Sequence, residues 1–134
     1  MKLPSRIESV EEAASEAESF VKDNGLGDEF ASAIDLAVRE SVANAVKHGN
    51  KFDPEKDVEV TLKCSTEEVV ILVRDHGPGF SPDEIPDPTN PANLLKESGR
   101  GILFMRAFMD DIEWTNHSEG GMVVRMTKSQ NPEQ

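Results

Sequence analysis

The stretch VEVTLKCSTEEVVILVRDHGPGF, residues 58–80, decides the fold. Val58, Val60, Leu62 and Cys64 alternate with Glu59, Thr61 and Lys63, the period-two pattern of a half-buried strand. Ser65-Thr66-Glu67 supplies a turn, and VVILVR at 69–74 is apolar on both faces, as expected of a central strand. The run ends in RDHGPGF, where glycine and proline interrupt regular pairing. A hairpin that empties into a glycine-rich loop therefore forms the centre, and the rest of the chain has to cover it.

Toward the N-terminus, a short extended start precedes IESVEEAASEAESFVKDNG at 7–25. Val10, Ala13, Ala14, Ala17, Phe20 and Val21 recur at helical spacing there, and Asn24-Gly25 is the stop signal. A second helix is expected from about Gly27 to His48, with Phe30, Ile34, Val38, Val42 and Ala45 as its apolar stripe and Gly49 as its terminator. Toward the C-terminus, GILFMRAFM at 101–109 reads as a short apolar helix. DIEWTN and MVVRMT follow as a second strand pair across the Ser118–Gly121 turn. The element order predicts an α/β two-layer sandwich, with helices on one face of a mixed, mostly antiparallel sheet. Residues 1–128 are expected to form a single domain, and residues 129–134, SQNPEQ, a frayed tail.

Composition excludes several function classes. Of 134 residues, 26 are acidic and 14 basic, a net charge of −12 that would repel phosphate backbones and anionic headgroups. Neither direct nucleic-acid binding nor a membrane role is expected. The longest aliphatic run, VVILV at 69–73, is too short to span a bilayer, and MKLPSRIESVEE lacks the apolar core of a signal peptide. A lone Cys64 permits no internal disulfide and suits a reducing cytoplasm.

Three segments carry candidate chemistry. In RESVANAVKHGN at 39–50, Glu40, Asn44 and Lys47 fall in one narrow stripe of the second helix, opposite Val38, Val42 and Ala45. Together they offer a proton acceptor, a neutral oxygen ligand for a hard cation and a phosphate counter-charge. Taken alone, the stripe equally fits a solvated polar face, the commoner use of such a pattern. In RDHGPGF, Asp75 stands at a strand end while Gly77 and Gly79 allow close approach to the main chain. A plain turn would read the same way. In SGRGILFM at 98–105, Gly99, Arg100 and Gly101 precede a helix whose free N–H groups favour an anion, although a simple helix entry fits too. About twenty residues with Pro82, Pro86, Pro88 and Pro91 separate the two glycine segments, a loop length typical of functional lids.

In this order the segments resemble the N, G1 and G2 boxes of the GHKL ATPase and kinase superfamily, whose ATP-binding domain has the Bergerat fold. More narrowly, ESVANAVKHGN, DHGPGF and NLLKESGRGILFMR resemble the anti-sigma factor serine kinases. The resemblance covers most of the chain and implies ATP and Mg²⁺ as cofactors. By position, Asn44 would ligate Mg²⁺ and Glu40 would act as general base. Asp75 would accept a hydrogen bond from the adenine amino group, with Gly77 and Gly79 lining that pocket. Gly99, Arg100 and Gly101 would meet the phosphates, and Lys47 could add a counter-charge. An unperturbed glutamate, with a pKa of about 4.3, is a weak base, which a loose phosphoryl-transfer transition state tolerates.

The resemblance further implies a protein serine/threonine kinase acting as an anti-sigma factor, with a STAS-domain anti-anti-sigma protein as substrate, a sigma factor as second partner, and a homodimer. The alternative is a non-catalytic nucleotide-binding switch of the same fold. One departure stands out: where many members carry Gly-Thr near the last strand, with the threonine helping to hold adenine, this chain has Gly121-Met122, and Thr127 lies too far along to replace it. His48 is expected to cap the helix end, His76 has no obvious partner, His117 is expected in a turn, and the three share no zinc-ligand spacing. Cys64, Trp114 and Met105, Met109, Met122 and Met126 are expected to be core or interface residues.

Overall fold

A computed structural model describes residues 1–77 and 108–130. Two helices cover one face of a five-stranded sheet. Strand β1 (Lys2–Pro4) is followed by α1 (Glu8–Asp23), α2 (Asp28–Asn44), β2 (Asp57–Cys64), β3 (Glu68–Arg74), β4 (Asp111–Asn116) and β5 (Met122–Ser129). The spatial order is β1-β2-β3-β5-β4, and all four pairings are antiparallel. The expected mixed sheet is thus wholly antiparallel among the described residues. The expected loop from Gly79 to Gly99 and most of the helix at 101–109 lie outside them.

Local sequence explains the helix limits. Glu8 and Glu11 sit in the first turn of α1 and Lys22 in the last, each sign favoured by the helix dipole. Beyond the last turn, Gly25 adopts φ +63°. Its N–H bonds the Lys22 carbonyl at 3.1 Å while the Leu26 N–H bonds that of Val21 at 3.0 Å, the Schellman arrangement that consumes orphan carbonyls. The second helix ends differently. After Asn44 the chain widens into a π-helical turn over Ala45–Gly49, closed by Asn50 N–H to the Ala45 carbonyl at 2.8 Å and Phe52 N–H to the Val46 carbonyl at 2.9 Å. The left-handed residues of this exit are Lys51 (φ 52°) and Phe52 (φ 60°), neither of them glycine. Gly49 is therefore not a conformational terminator, and another reason for it is found at the site.

The core lies between the helices and one sheet face. Val58, Val60, Val69, Ile71, Val73, Val124 and Met126 are buried from the sheet, facing Ala13, Ala17, Val21, Ile34, Val38 and Val42. The alternate residues of β3, Val70 and Leu72, are only half-buried on the outer face, paired with Thr127 and Arg125. β3 is central in its sheet, yet no described helix covers its second face. Ile112 is buried while Trp114 and Cys64 are half-buried against the core. Arg39 clamps α2 to α1, its Nε donating to Asp35 at 3.0 Å and its Nη1 to Glu11 at 2.5 Å. That hydrogen bond and the guanidinium charge hold the Glu11 carboxyl below its ordinary value. Ile71 is fully buried in the middle strand. Ile71→Ala should cost about 2–5 kcal/mol, read from urea unfolding, and a loss below about 1 kcal/mol would contradict this placement of the core.

Candidate functional site

The site forms where β3, β5 and the π-helical turn meet. Pairing of Arg74 with Val123 sets the register, so the residue after β3, Asp75, continues beside Met122. Asp75 N–H donates to the Met122 carbonyl at 3.0 Å. Its side-chain Oδ1 accepts the main-chain N–H of Gly77 at 2.9 Å and of Met122 at 3.2 Å. The carboxylate is buried, with 8% of the residue exposed, and among the described residues Oδ2 accepts no hydrogen bond. One oxygen anchors the loop while the other keeps its acceptor capacity.

Three glycines make this packing possible. A Cβ on Gly49 would overlap the Asp75 carboxylate, and one on Gly77 would overlap the Gly49 carbonyl. Gly121, at φ +90°, has its open side against the Asp75 carbonyl. The π-helical turn after α2, the start of the loop after β3 and the end of the β4–β5 turn approach one another closely here, which no larger residue permits without displacement. The nearest neighbour to the open side of Gly77 is the Gly49 main chain.

Glu40, Asn44 and Lys47 are all half-buried, and they do not lie opposite the core as helical spacing suggested. At 100° per residue, Asn44 falls within about 20° of both Ala33 and Ala37 around the helix axis. Those two alanines are buried, at 1% and 0% exposure. The polar stripe thus continues a packed line of α2 toward the end where Asp75 stands, and it is not an open solvated face. Glu40 and Lys47 both have interaction partners. His48 is exposed. Gly79, Gly99, Arg100 and Gly101 lie outside the described residues.

The Met122 departure has a structural answer. What fastens Asp75 is the main chain of residue 122, which any side chain supplies, while the methionine itself is buried at 5% exposure. Thr127 belongs to the outer face, across from Val70 and Asp111, and is remote from this contact. His76, without an evident partner in the sequence, places Nε2 2.9 Å from Glu59 Oε2, with Arg74 Nη1 3.5 Å from the same oxygen. Asn50 is the residue that sequence reasoning missed. It is 2% exposed and hydrogen-bonded to three separate segments. No local pattern marks it, since its partners are 7 to 45 residues away.

A pair of neighbouring glycines separates strain from contact. Gly120 (φ +99°) has open space where a Cβ would stand, whereas Gly121 does not. Gly120→Ala should cost about 1–2 kcal/mol from backbone strain alone, and Gly121→Ala at least about 1 kcal/mol more from overlap with Asp75. Equal losses in urea unfolding would remove the close approach from the account.

Residues 3–128 match the family described as the histidine kinase-like ATPase domain. The chain is 31% identical over 106 residues to the serine-protein kinase RsbW of Bacillus subtilis (strain 168), covering 75% of this chain and 65% of that protein's length. It is 33% identical over 100 residues to an anti-sigma F factor of Clostridium perfringens (strain 13 / Type A), covering 73% and 71% respectively. In fold it is similar to the mycobacterial sensor histidine kinase MprB, with a TM-score of 0.59 at 16% identity over 96% of both chains. The N-, G1- and G2-box segments and these likenesses agree: the chain belongs to the histidine kinase-like ATPase domain family and, within it, to the anti-sigma factor serine kinases.

Proposed function

We propose that this chain is an ATP-dependent protein serine/threonine kinase acting as an anti-sigma factor. It phosphorylates a serine or threonine of a STAS-domain anti-anti-sigma partner. It sequesters a sigma factor, for which the unphosphorylated partner competes. The reading includes one kinase domain over residues 1–128, a homodimer, and a cytoplasmic setting. The observation that carries it is the buried Asp75 carboxylate, tied by Oδ1 to two main-chain N–H groups beside the end of α2.

The residues present suit a magnesium nucleotide. Asp75 Oδ2 can accept the adenine amino group, and the glycines at 49, 77 and 121 keep main chain close enough to frame a flat base. Asn44 offers a neutral side-chain oxygen of the kind a hard cation takes, and Lys47 a positive charge toward phosphate. Bound Mg²⁺ neutralises phosphate charge during phosphoryl transfer. Gly79, Gly99, Arg100 and Gly101 lie outside the described residues, and the family resemblance assigns Gly79 to the base pocket and the other three to the phosphates. Glu40, one helical turn before Asn44, orients the attacking hydroxyl and accepts its proton. These roles need positioning and charge more than covalent chemistry, which a small domain can provide.

Two substitutions separate binding from transfer. Asn44→Ala should abolish magnesium-dependent ATP binding measured by calorimetry, and tight binding retained would overturn the assignment. With radiolabelled ATP, Mg²⁺ and a candidate STAS protein, Glu40→Ala should bind nucleotide but transfer label at least about a hundredfold more slowly. An unchanged rate would remove Glu40 from the chemistry. Binding by the unmodified chain without transfer to several STAS candidates would instead describe a non-catalytic nucleotide-binding switch.

A further inference from the structure

We infer that Asn50 is a positioning residue that sets where the Asp75 carboxylate stands against the end of α2, and so governs how strictly the site distinguishes adenine from other purines. The inference rests on the nucleotide reading proposed above and adds to it a residue outside the three family boxes' assigned roles.

Asn50 closes the π-helical turn through its own N–H to the Ala45 carbonyl. Its side chain reaches three other segments. Nδ2 donates to Ser5 Oγ at 2.8 Å, just after β1, and to the Asp57 carbonyl at 3.0 Å, at the start of β2. Oδ1 accepts the main-chain N–H of His76 at 2.7 Å, between Asp75 and Gly77. The orientation of the amide follows from its neighbours. Ser5 Oγ donates its proton to the Lys56 carbonyl, so toward Asn50 it can only accept. The Asp57 carbonyl likewise can only accept. Both fix Nδ2 on that side and leave Oδ1 facing His76. The amide is held from two fixed points and presents its oxygen to a third.

That third point matters because of its neighbours in the chain. The peptide N–H of residue 76 lies one residue from the carboxylate and one from Gly77, whose own N–H bonds Asp75 Oδ1. Gly49, adjacent to Asn50, is the residue whose main chain abuts both Asp75 and Gly77. A single residue thus joins the exit of the helix bearing Glu40 and Asn44 to the loop bearing Asp75. At 2% exposure the link is shielded from water, where an unmade hydrogen bond is costly and geometry correspondingly strict. A hydrogen-bonding site rejects an analogue lacking the bonded group only while the acceptor is held in place. Releasing the His76 N–H lets the loop shift, and the discrimination relaxes before the fold is lost.

The experiment compares ATP with inosine triphosphate, which lacks the exocyclic amino group, each titrated with Mg²⁺ into the full chain. The unmodified protein should prefer ATP. Asn50→Leu, which keeps bulk but removes all three polar contacts, should lower the ATP-to-inosine ratio about tenfold or more. Ile71→Val provides the stability control: it thins the buried core away from this network, so its melting temperature should fall while the ratio stays unchanged. If Asn50→Leu does not fold, Asn50→Ser, too short to reach His76, replaces it. An unchanged ratio in the Leu or Ser variant, or an equal fall in Ile71→Val, overturns the positioning role. An unmodified chain that binds neither nucleotide overturns the nucleotide reading itself, and one that binds both alike overturns the positioning role, either result being obtained before any variant is made.

Discussion

Everything at the candidate site depends on one close approach of main chain to main chain. Where Gly49, Gly77 and Gly121 converge on Asp75, no Cβ stands between the end of α2 and the ends of β3 and β5. Side chains would hold these elements apart by the thickness of a methyl group or more, and Asp75 Oδ1 could not reach the N–H groups of both Gly77 and Met122. The glycines act through what they lack. Gly121 alone also needs its positive φ, while Gly49 and Gly77 are required by neighbours whose space a Cβ would take.

The sheet prepares this convergence. Antiparallel pairing of β3 with β5 brings the exit of one strand beside the entry of the other, so Asp75 and Met122 exchange main-chain contacts as an extension of the ladder. The π-helical turn then carries the chain off α2 so that Asn50 lies under the loop. A π turn adds a residue to the local repeat and is often found at functional sites. Here it redirects the helix end toward the carboxylate. Because Met122 contributes through its main chain, replacing the familiar threonine leaves the Asp75 anchor in place.

Polar burial sets the character of the region. Asp75 and Asn50 are among the few buried polar residues, and both are bonded to backbone groups of distant segments. Such networks contribute modestly to stability once made, but they tolerate few alternative geometries. The surface is otherwise strongly acidic, and α1 presents glutamates, one of which, Glu11, is met by Arg39 of α2. The site geometry therefore rests on contacts that surface salt would little disturb.

The sequence by itself determined the elements, because periodicity and turn chemistry are local. Alternation from Val58 to Cys64, the helical stripe from Val10 to Val21 and the Asn24-Gly25 stop each report their own segment. The family boxes likewise singled out Glu40, Asn44, Asp75 and Gly77. Tertiary structure alone decided what is non-local: the all-antiparallel strand order, the placement of Asn44 on the line of buried Ala33 and Ala37, and the reason for Gly49. Asn50 belongs wholly to that second class. Its importance comes from Ser5, Asp57 and His76, brought together by folding, and no pattern of neighbours along the chain encodes a meeting of segments so far apart.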